Sequence, residues 1–261
     1  MNKIQKCELE ILKAISKFCE KNNIKYSLIG GTMIGAVRHQ GFIPWDDDID
    51  LAMIRQEYEK FIICVKKQNY FIDEYRVMLP ECNDYFYPFI KVINTQTLVC
   101  EERINEMFPL GVWVDIFPLD YCDTKEERSK EETKKRVHAV KELLRFVAKD
   151  SSRLKAFGRN IYLSIRKNVN KKDWKVLKHF LSTKPSEGDK KCIGSFVWPL
   201  SDKYIYPAQV ADGYTYVLFE GEKYMMFGSY DLILRLSYGN YMQLPPEAER
   251  VNHGLTMKYI K

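Results

Sequence analysis

The sequence predicts an α/β (α+β) fold, in which helices and strands alternate and one basic helical segment interrupts them. Apolar residues recur at helical spacing over residues 4–19, and apolar and polar residues alternate with the period of a strand over residues 48–53. After Asp120 the chain becomes highly charged and helical in pattern. With 261 residues, 46% of them hydrophobic, the chain is large enough to bury a sizeable core.

The first predicted elements surround a glycine pair. An amphipathic helix over residues 4–19 is followed by "KYSLIGG", which predicts a short strand running into a glycine turn. A short helix is expected from about Thr32 to Arg38. In "DDIDLAM" every second residue is apolar, which predicts a strand with one face toward the core and Asp48 and Asp50 together on the other.

Later segments continue the alternation. "RQEYEKFIICVKKQ" predicts a helix, whereas "FIDEYRVML" and "YFYPFIKVINTQTLVC" predict strands. "GVWVDIFPLD" predicts a strand that Pro118 helps to stop, because proline lacks a backbone donor. From "YIYPAQV" onward strand and turn patterns return, then "SYDLILRLSYG" predicts a helix and "NYMQLPPEAERVNHG" an extended, proline-stiffened tail.

The positive charge is concentrated in residues 121–191, which hold 21 Lys and Arg against 10 Asp and Glu. The whole chain has a net charge of +6, so this segment carries +11 and the remainder −5. We therefore expect a basic helical insertion or subdomain at 121–191, within a core formed by 1–120 and 192–261. Such a face attracts an anionic polymer, a membrane surface or nucleic acid, and a solvated helical surface is the alternative.

The composition disfavours a membrane-spanning or secreted protein, and also a protein built on disulfides or structural zinc. No apolar run approaches the length of a membrane span, and the N-terminus mixes charges into its apolar positions, so we expect a cytoplasmic protein. The seven cysteines are scattered and never spaced as CxxC, which supports neither a disulfide framework nor a zinc site.

Two aspartates on one face of a strand predict a site for a hard cation. Mg²⁺ favours one or two carboxylates together with substrate phosphates, so Asp48 and Asp50 would suffice to hold it beside a phosphate-bearing substrate. A third acid on a neighbouring strand would complete a two-metal site. The best candidate is Asp115 in "WVDIF", because its apolar neighbours would make an unpaired buried carboxylate costly.

A phosphate group is expected beside this cation site. Gly30 and Gly31, between a strand and a helix beginning at Thr32, let backbone N–H groups approach a phosphate without a Cβ in the way. Arg38 and Lys91 are the cations that we nominate as further phosphate contacts, Arg38 for its fork geometry and Lys91 as a point charge.

Three other kinds of binding site are less compatible with the sequence of residues 30–57. The acidic spacing from Asp46 to Glu57 mimics an EF-hand loop, but Leu51 stands where that loop requires glycine. "GGTMIG" lacks the spacing of the Walker and dinucleotide-binding glycine fingerprints. Calcium-loop binding, classical NTP hydrolysis and NAD binding are therefore disfavoured.

The stretch "GGTMIGAVRHQGFIPWDDDIDLAM" resembles the signature of the LicD-like phosphotransferases, relatives of fukutin and the fukutin-related protein in the nucleotidyltransferase-fold superfamily. "KVINTQT" is similar to the central strand of that family, "VDIFPLD" to its second acidic strand, and "YGNYMQLPPEAERVNHG" to its C-terminal signature. The resemblance implies a nucleotidyltransferase-like mixed sheet flanked by helices. The basic segment matches no motif of the family.

The resemblance also implies a role for each matched residue. The implied catalytic residues, which also hold two Mg²⁺ ions or Mn²⁺, are Asp48, Asp50 and Asp115. The residues implied to lie against the donor phosphates are Gly30, Gly31 and Thr32. Asp115 is expected to accept the proton of the attacking hydroxyl, and Asp46 to support the site.

Members of this family move a phosphorylated alcohol from a CDP-linked donor to a sugar hydroxyl, most often phosphocholine onto a bacterial surface glycan. The resemblance implies CDP-choline as the donor, or a CDP-alcohol that carries glycerol or ribitol. It implies a glycan acceptor of the teichoic acid type or another cell-wall or lipopolysaccharide glycan. When this acceptor is lipid-linked, the basic segment would lie at the cytoplasmic face of the membrane, against anionic lipid or the polymer.

Two alternatives remain beside this activity. Nucleotidyl transfer from an NTP to a small molecule uses the same three acids, and the fold does not separate the two reactions. Nucleic-acid binding is disfavoured, because the basic segment is poor in aromatic residues. Trp45 and Trp113 lie next to the acidic motifs, but packing is the simpler explanation for them, so neither is included in the site.

Overall fold

The computed structural model describes residues 1–101, 108–122, 127–147, 173–185, 190–199, 205–250, 252 and 254–260. Within these residues the α-helices are α1 (Lys3–Lys21), α2 (Gly30–His39), α3 (Arg55–Lys66), α4 (Glu127–Leu144), α5 (Asp173–Ser182) and α6 (Tyr230–Tyr238). The strands are β1 (Ser27–Leu28), β2 (Asp50–Ile54), β3 (Phe71–Ile72), β4 (Tyr75–Met78), β5 (Ile90–Ile93), β6 (Thr97–Glu101), β7 (Trp113–Cys122), β8 (Cys192–Gly194), β9 (Ile205–Pro207), β10 (Tyr214–Phe219), β11 (Glu222–Phe227) and β12 (Leu255–Tyr259). Short 3₁₀ helices cover Ala208–Ala211 and Glu247–Glu249.

A mixed sheet forms the centre of the protein. Its strands follow the order β1-β2-β7-β5-β4-β3, and β8 and β9 extend it beside the second half of β7. β2 and β7 are parallel, whereas the other pairs in this sheet are antiparallel. All four residues of β5 are buried, as expected for a strand covered on both faces. The sheet and its flanking helices confirm the α+β class predicted from the sequence.

Helix α1 covers part of the sheet with the apolar stripe that its sequence predicts. Ile11, Leu12 and Ile15 are fully buried in the same core as the central strands. At its start, the Asn2 side chain accepts from the backbone N–H of Gln5, and the Gln5 side chain accepts from the backbone N–H of Asn2. This capping box fixes where the helix begins, and therefore which side chains of its first two turns face the sheet.

Most predicted elements are confirmed, but several differ in extent or pairing. "FIDEYRVML" is a hairpin of β3 and β4 instead of one strand, and the turn between them places Asp73 at a φ of 50°, a region that aspartate tolerates better than most residues. The segment "NYMQLPPEAERVNHG", predicted as an extended tail, includes a 3₁₀ helix at Glu247–Glu249, and the residues that follow it form β12, which pairs with β6.

Pro118 does not stop its strand, contrary to the prediction. β7 continues to Cys122, and Pro118 lies opposite Met53 of β2. The N–H of Asp115 points toward β2, since it donates to the carbonyl of Ile49. By alternation, the missing N–H of Pro118 faces the other side of β7. On that side β5 pairs only as far as Ile116 and β8 begins at Asp120, so no ladder bond is lost.

The two ends of the basic segment lie side by side. β7 pairs with β8, which places Cys122 opposite Cys192, so Tyr121 and Cys122 belong to the central sheet and not to a helical insertion. The helical prediction is confirmed for α4 and α5, which pack together. The assignment of this segment as a separate subdomain stays a prediction, and residues 148–172 lie outside the described part of the chain.

Two cations of the basic segment are buried. Arg136 is 1% exposed and donates to three backbone carbonyls, those of Leu181, Thr183 and Phe196. Lys178 donates to the carbonyls of Cys82 and Tyr85, and burial lowers its pKa to about 8. These side chains connect parts of the protein to one another, so they are not available to an external anion.

All seven cysteines are free thiols. In the part of the chain that the structure describes, no helix combines the length and the hydrophobicity needed to cross a bilayer.

An ion pair between Arg55 and Asp120 joins α3 to β7. The guanidinium donates two hydrogen bonds of 2.7 Å to the two carboxylate oxygens. Both side chains are largely buried, at 12% and 4% exposure. Removing one partner of such a pair leaves an uncompensated charge, whereas replacing both can be nearly neutral.

We predict that Asp120→Asn lowers the free energy of unfolding by about 3 kcal/mol, because it leaves Arg55 buried without its counter-charge. Urea denaturation followed by circular dichroism measures this change. The exposed pair of Lys66 and Glu81 provides the control, and Glu81→Gln should cost less than about 1 kcal/mol. Equal losses in the two variants would contradict the prediction.

Candidate active site

Three charged side chains form a row across the central strands. Asp50 of β2 lies opposite Asp115 of β7 in the parallel ladder, and Asp115 lies opposite Lys91 of β5 in the antiparallel ladder. Residues directly opposite one another project from the same face of a sheet. The structure therefore brings together three of the predicted site residues, although Asp115 is 65 positions from Asp50 in the sequence.

Lys91 neutralises Asp115 within this row. Its ammonium lies 2.7 Å from Oδ1 and 2.9 Å from Oδ2 of the carboxylate, and its side chain is only 3% exposed. Three aromatic rings surround the same ammonium, those of Trp113 at 4.1 Å, Tyr87 at 4.5 Å and Phe89 at 5.4 Å from the ring centroids. Cation–π contacts of this kind offset part of the desolvation of a buried ammonium.

The acidic loop before β2 adds further carboxylates beside the row. Asp48 was predicted to lie within the strand. The structure places it just before β2, which begins at Asp50. Burial raises the pKa of Asp48 well above its usual value, and the charges of Asp50 and Asp46 and a hydrogen bond with Asp46 add to this. The three carboxylates are therefore close enough for each charge to act on the others.

The N-terminal end of α2, where backbone N–H groups lack intrahelical partners, lies against the same carboxylates. Gly30 has a φ of +58°, which favours glycine, and a Cβ there would lie 3.4 Å from Oδ2 of Asp50. A Cβ on Gly31 would collide with the carboxylate of Asp46. Thr32 accepts a 2.9 Å hydrogen bond from the backbone N–H of Asp50 through Oγ1. The glycines thus allow close contact between a helix N-terminus, which favours anions, and the acidic loop.

Arg38 is not brought to this group. It lies in the last turn of α2, eight residues after Gly30, or about 12 Å along the helix axis. Its guanidinium donates at 2.8 Å to the carbonyl of Tyr241 and a weaker 3.5 Å bond to that of Gln243. The structure thus uses Arg38 to hold the C-terminal loop, and its nomination as a phosphate contact stays a prediction.

Glu8 is a further member of the acidic group that sequence reasoning missed. It lies on α1, is 1% exposed, and its Oε2 has no hydrogen-bond partner. Burial raises its pKa well above the usual value, and nearby negative charges add to the shift. Those charges belong to Asp46, Asp47, Asp50 and Asp115. The sequence does indicate that Glu8 is buried, because it lies four residues after Ile4 and four before Leu12 on the apolar stripe of the helix.

The donors of this site suit a hard cation. All of them are carboxylate oxygens, and Oε2 of Glu8 has no hydrogen-bond partner in the protein. Among the described residues, no three His, Cys, Asp or Glu side chains are arranged to enclose an ion. Mg²⁺ takes one or two carboxylates and completes its shell with water and substrate phosphate, so it does not need such an enclosure.

A separate cleft lies at the other end of β2 and β7. Its lining includes Arg55, Asp120, Lys184 and Lys190. Asp50 and Ile54, at opposite ends of β2, are about 13 Å apart along the strand. The carboxylate of this cleft is already paired with Arg55, so the cleft offers no equivalent of the acidic group.

Glu8→Gln should stabilise the cation-free protein at pH 8 and have little effect at pH 5. The unfolded chain releases the proton of Glu8 near pH 4.5, whereas the folded protein keeps it to a higher pH. The unfolded state binds fewer protons in this window, so the stability of the wild type falls as pH rises, by at most about 1.4 kcal/mol per unit. Thermal unfolding in EDTA at both pH values measures the difference.

Glu10→Gln is the matched control for this measurement. Glu10 lies on the same helix but is exposed and paired with Lys13 at 3.0 Å. Because Glu10 is exposed, we expect its replacement to change the free energy of unfolding by less than about 1 kcal/mol at either pH value. A Glu8→Gln variant that is no more stable than the wild type at pH 8 would show that Glu8 is not a source of buried charge.

Comparison with known proteins assigns the chain to a family. Residues 23–139 match the family described as "LicD/FKTN/FKRP, nucleotidyltransferase domain". The chain is 31% identical to the lipopolysaccharide cholinephosphotransferase LicD of Haemophilus influenzae, over 97% of this chain and 95% of that protein. It is 30% identical to an uncharacterised protein of Rickettsia typhi, over 39% of this chain and 37% of that one. With a relative at this identity along nearly its whole length, the chain belongs to the LicD family.

Proposed function

We propose that this protein transfers phosphocholine from CDP-choline to a sugar hydroxyl of a surface glycan in a metal-dependent reaction that releases CMP. The observation that carries the proposal is the row of Asp50, Asp115 and Lys91 beside the N-terminus of α2. The name of the Haemophilus relative supports phosphocholine transfer, and it names lipopolysaccharide as the acceptor of that protein.

The donor diphosphate would lie between the N-terminus of α2 and the acidic group. Backbone N–H groups in the first turn of a helix have no intrahelical partner, so those of Gly30, Gly31 and Thr32 suit phosphate oxygens. Asp48, Asp50 and Asp115 would hold Mg²⁺ or Mn²⁺. When bound, the cation supplies positive charge that stabilises the charge developing on the phosphoryl oxygens. Lys91 adds a fixed positive charge from the row.

In the transfer step, the acceptor oxygen forms a bond to the phosphorus that carries choline. The bond from that phosphorus to the bridging oxygen breaks, and CMP leaves with this oxygen. The proton of the acceptor hydroxyl passes to the carboxylate of Asp115. Lys91 holds that carboxylate at both oxygens, which fixes its position on the sheet. The product is a phosphodiester between choline and the sugar.

Two kinds of surface glycan suit the role of acceptor. A teichoic acid type glycan and a lipopolysaccharide both present sugar hydroxyls on an anionic, lipid-linked molecule. The basic segment would attract either of them, or anionic lipid. Its proposed contacts Arg153, Lys155, Arg159, Arg166 and Lys167 lie outside the described residues.

Asp50→Asn and Asp115→Asn should each lower kcat by about a thousandfold or more while the protein remains folded, because each removes a carboxylate from the row. CMP release from CDP-choline with Mg²⁺ and a glycan acceptor measures the loss. Asp73→Asn is the control, since Asp73 is exposed in the turn between β3 and β4, where asparagine is equally acceptable. Near-normal rates for Asp50→Asn at saturating Mg²⁺ would contradict the site.

A donor panel separates the proposed reaction from its alternatives. We expect CDP-choline to give CMP and a glycan that carries phosphocholine, which mass spectrometry detects. Faster turnover of CDP-glycerol or CDP-ribitol would replace choline by another alcohol and leave the mechanism intact. Pyrophosphate release from an NTP, without CMP release from any CDP-alcohol, would instead show nucleotidyl transfer.

A further inference from the structure

We propose that Glu8 is a further carboxylate of the acidic site, beside Asp48, Asp50 and Asp115, and that it raises the affinity of this site for a divalent cation. This inference rests on the proposed function, because it concerns the cation that the proposed reaction uses. It concerns a residue of α1, outside the strands and the glycine turn that carry the family resemblance.

The start of α1 lies against the acidic loop. The side-chain amide of Gln5 donates a 2.7 Å hydrogen bond to the backbone carbonyl of Asp46. Glu8 is one helical turn further along and lies on the same side of the helix. From Ile11 onward the same stripe is apolar and enters the core. Glu8 is thus the last polar residue of the buried stripe, where α1 passes from the acidic loop to the core.

The carboxyl group of Glu8 is not explained by its protein contacts. The side chain is almost fully buried, yet Oε2 has no hydrogen-bond partner. Burying a polar atom without a partner is unfavourable, and negative charges around it make ionisation more so. A leucine or methionine at this position would fill the same space on the stripe without that cost. A buried carboxylate that makes folding less favourable indicates that its role is to interact with a ligand.

A divalent cation is the ligand that this environment selects. The acidic group lies on α1, the loop before β2, β2 itself and β7. The described counter-charge in the row, Lys91, is already paired with Asp115. Each further negative charge near a cation site increases its attraction for the cation, even without direct coordination. Residues that surround metal ligands typically change metal affinity by about 10–100-fold when they are replaced.

The test is a calorimetric titration of the cation-free full-length protein with Mn²⁺ and with Mg²⁺ at pH 7.5, without nucleotide. We expect Glu8→Gln to weaken the binding of both cations by about tenfold or more. Glu8→Asp, which keeps the charge on a shorter side chain, should retain part of the affinity. Glu10→Gln, on the exposed side of the same helix, should bind like the wild type.

The outcomes separate this inference from the proposed function. If the wild type and Glu8→Gln bind the cations equally, the role of Glu8 is overturned while the metal-dependent reaction stands. If the wild type binds neither cation, even when CDP is present, the metal dependence of the proposed function fails as well. Circular dichroism establishes that each variant is folded, and Glu8→Met, which suits the apolar stripe, replaces Glu8→Gln if the amide variant does not fold.

Discussion

The mutual repulsion of carboxylates at the start of β2 and β7 is the constraint on which the site depends. Asp50 and Asp115 are paired in the ladder, Asp46 and Asp48 lie just before β2, and Glu8 reaches the group from α1. Such a concentration of buried or partly buried negative charge is unfavourable without positive charge nearby. Its presence in an otherwise well-packed core is the physical reason to look for a cation and a phosphate.

The surrounding structure supplies part of the compensation. Lys91 places an ammonium on Asp115 and is itself surrounded by three aromatic rings. The N-terminus of α2 adds the partial positive charge of a helix end, and Gly30 and Gly31 allow it to come close. Neither feature satisfies Oε2 of Glu8. A bound cation would supply the further positive charge that this group of carboxylates attracts.

The sequence predicts the elements of this site better than their contacts. The periodicity of "DDIDLAM" and "WVDIF" identifies two buried strands with acids on them, but only the sheet order shows that Asp50 and Asp115 are neighbours. Lys91 could be nominated as a cation, whereas its pairing with Asp115 depends on the antiparallel register of β5 and β7. Arg38 has the right chemistry for phosphate, but it lies seven positions beyond Gly31 along α2. The strand that continues through Pro118 depends on a gap between β5 and β8 that no local pattern reveals.

The most direct test of a cation held by this acidic group is a crystal of the protein grown with CDP and Mn²⁺, with data collected at the manganese absorption edge. We expect an anomalous difference peak from Mn²⁺ within bonding distance of Asp50 and Asp115, beside the first turn of α2 and the phosphates of CDP. Manganese bound elsewhere on the protein, with the carboxylates of the row free of metal while CDP is bound, would contradict it.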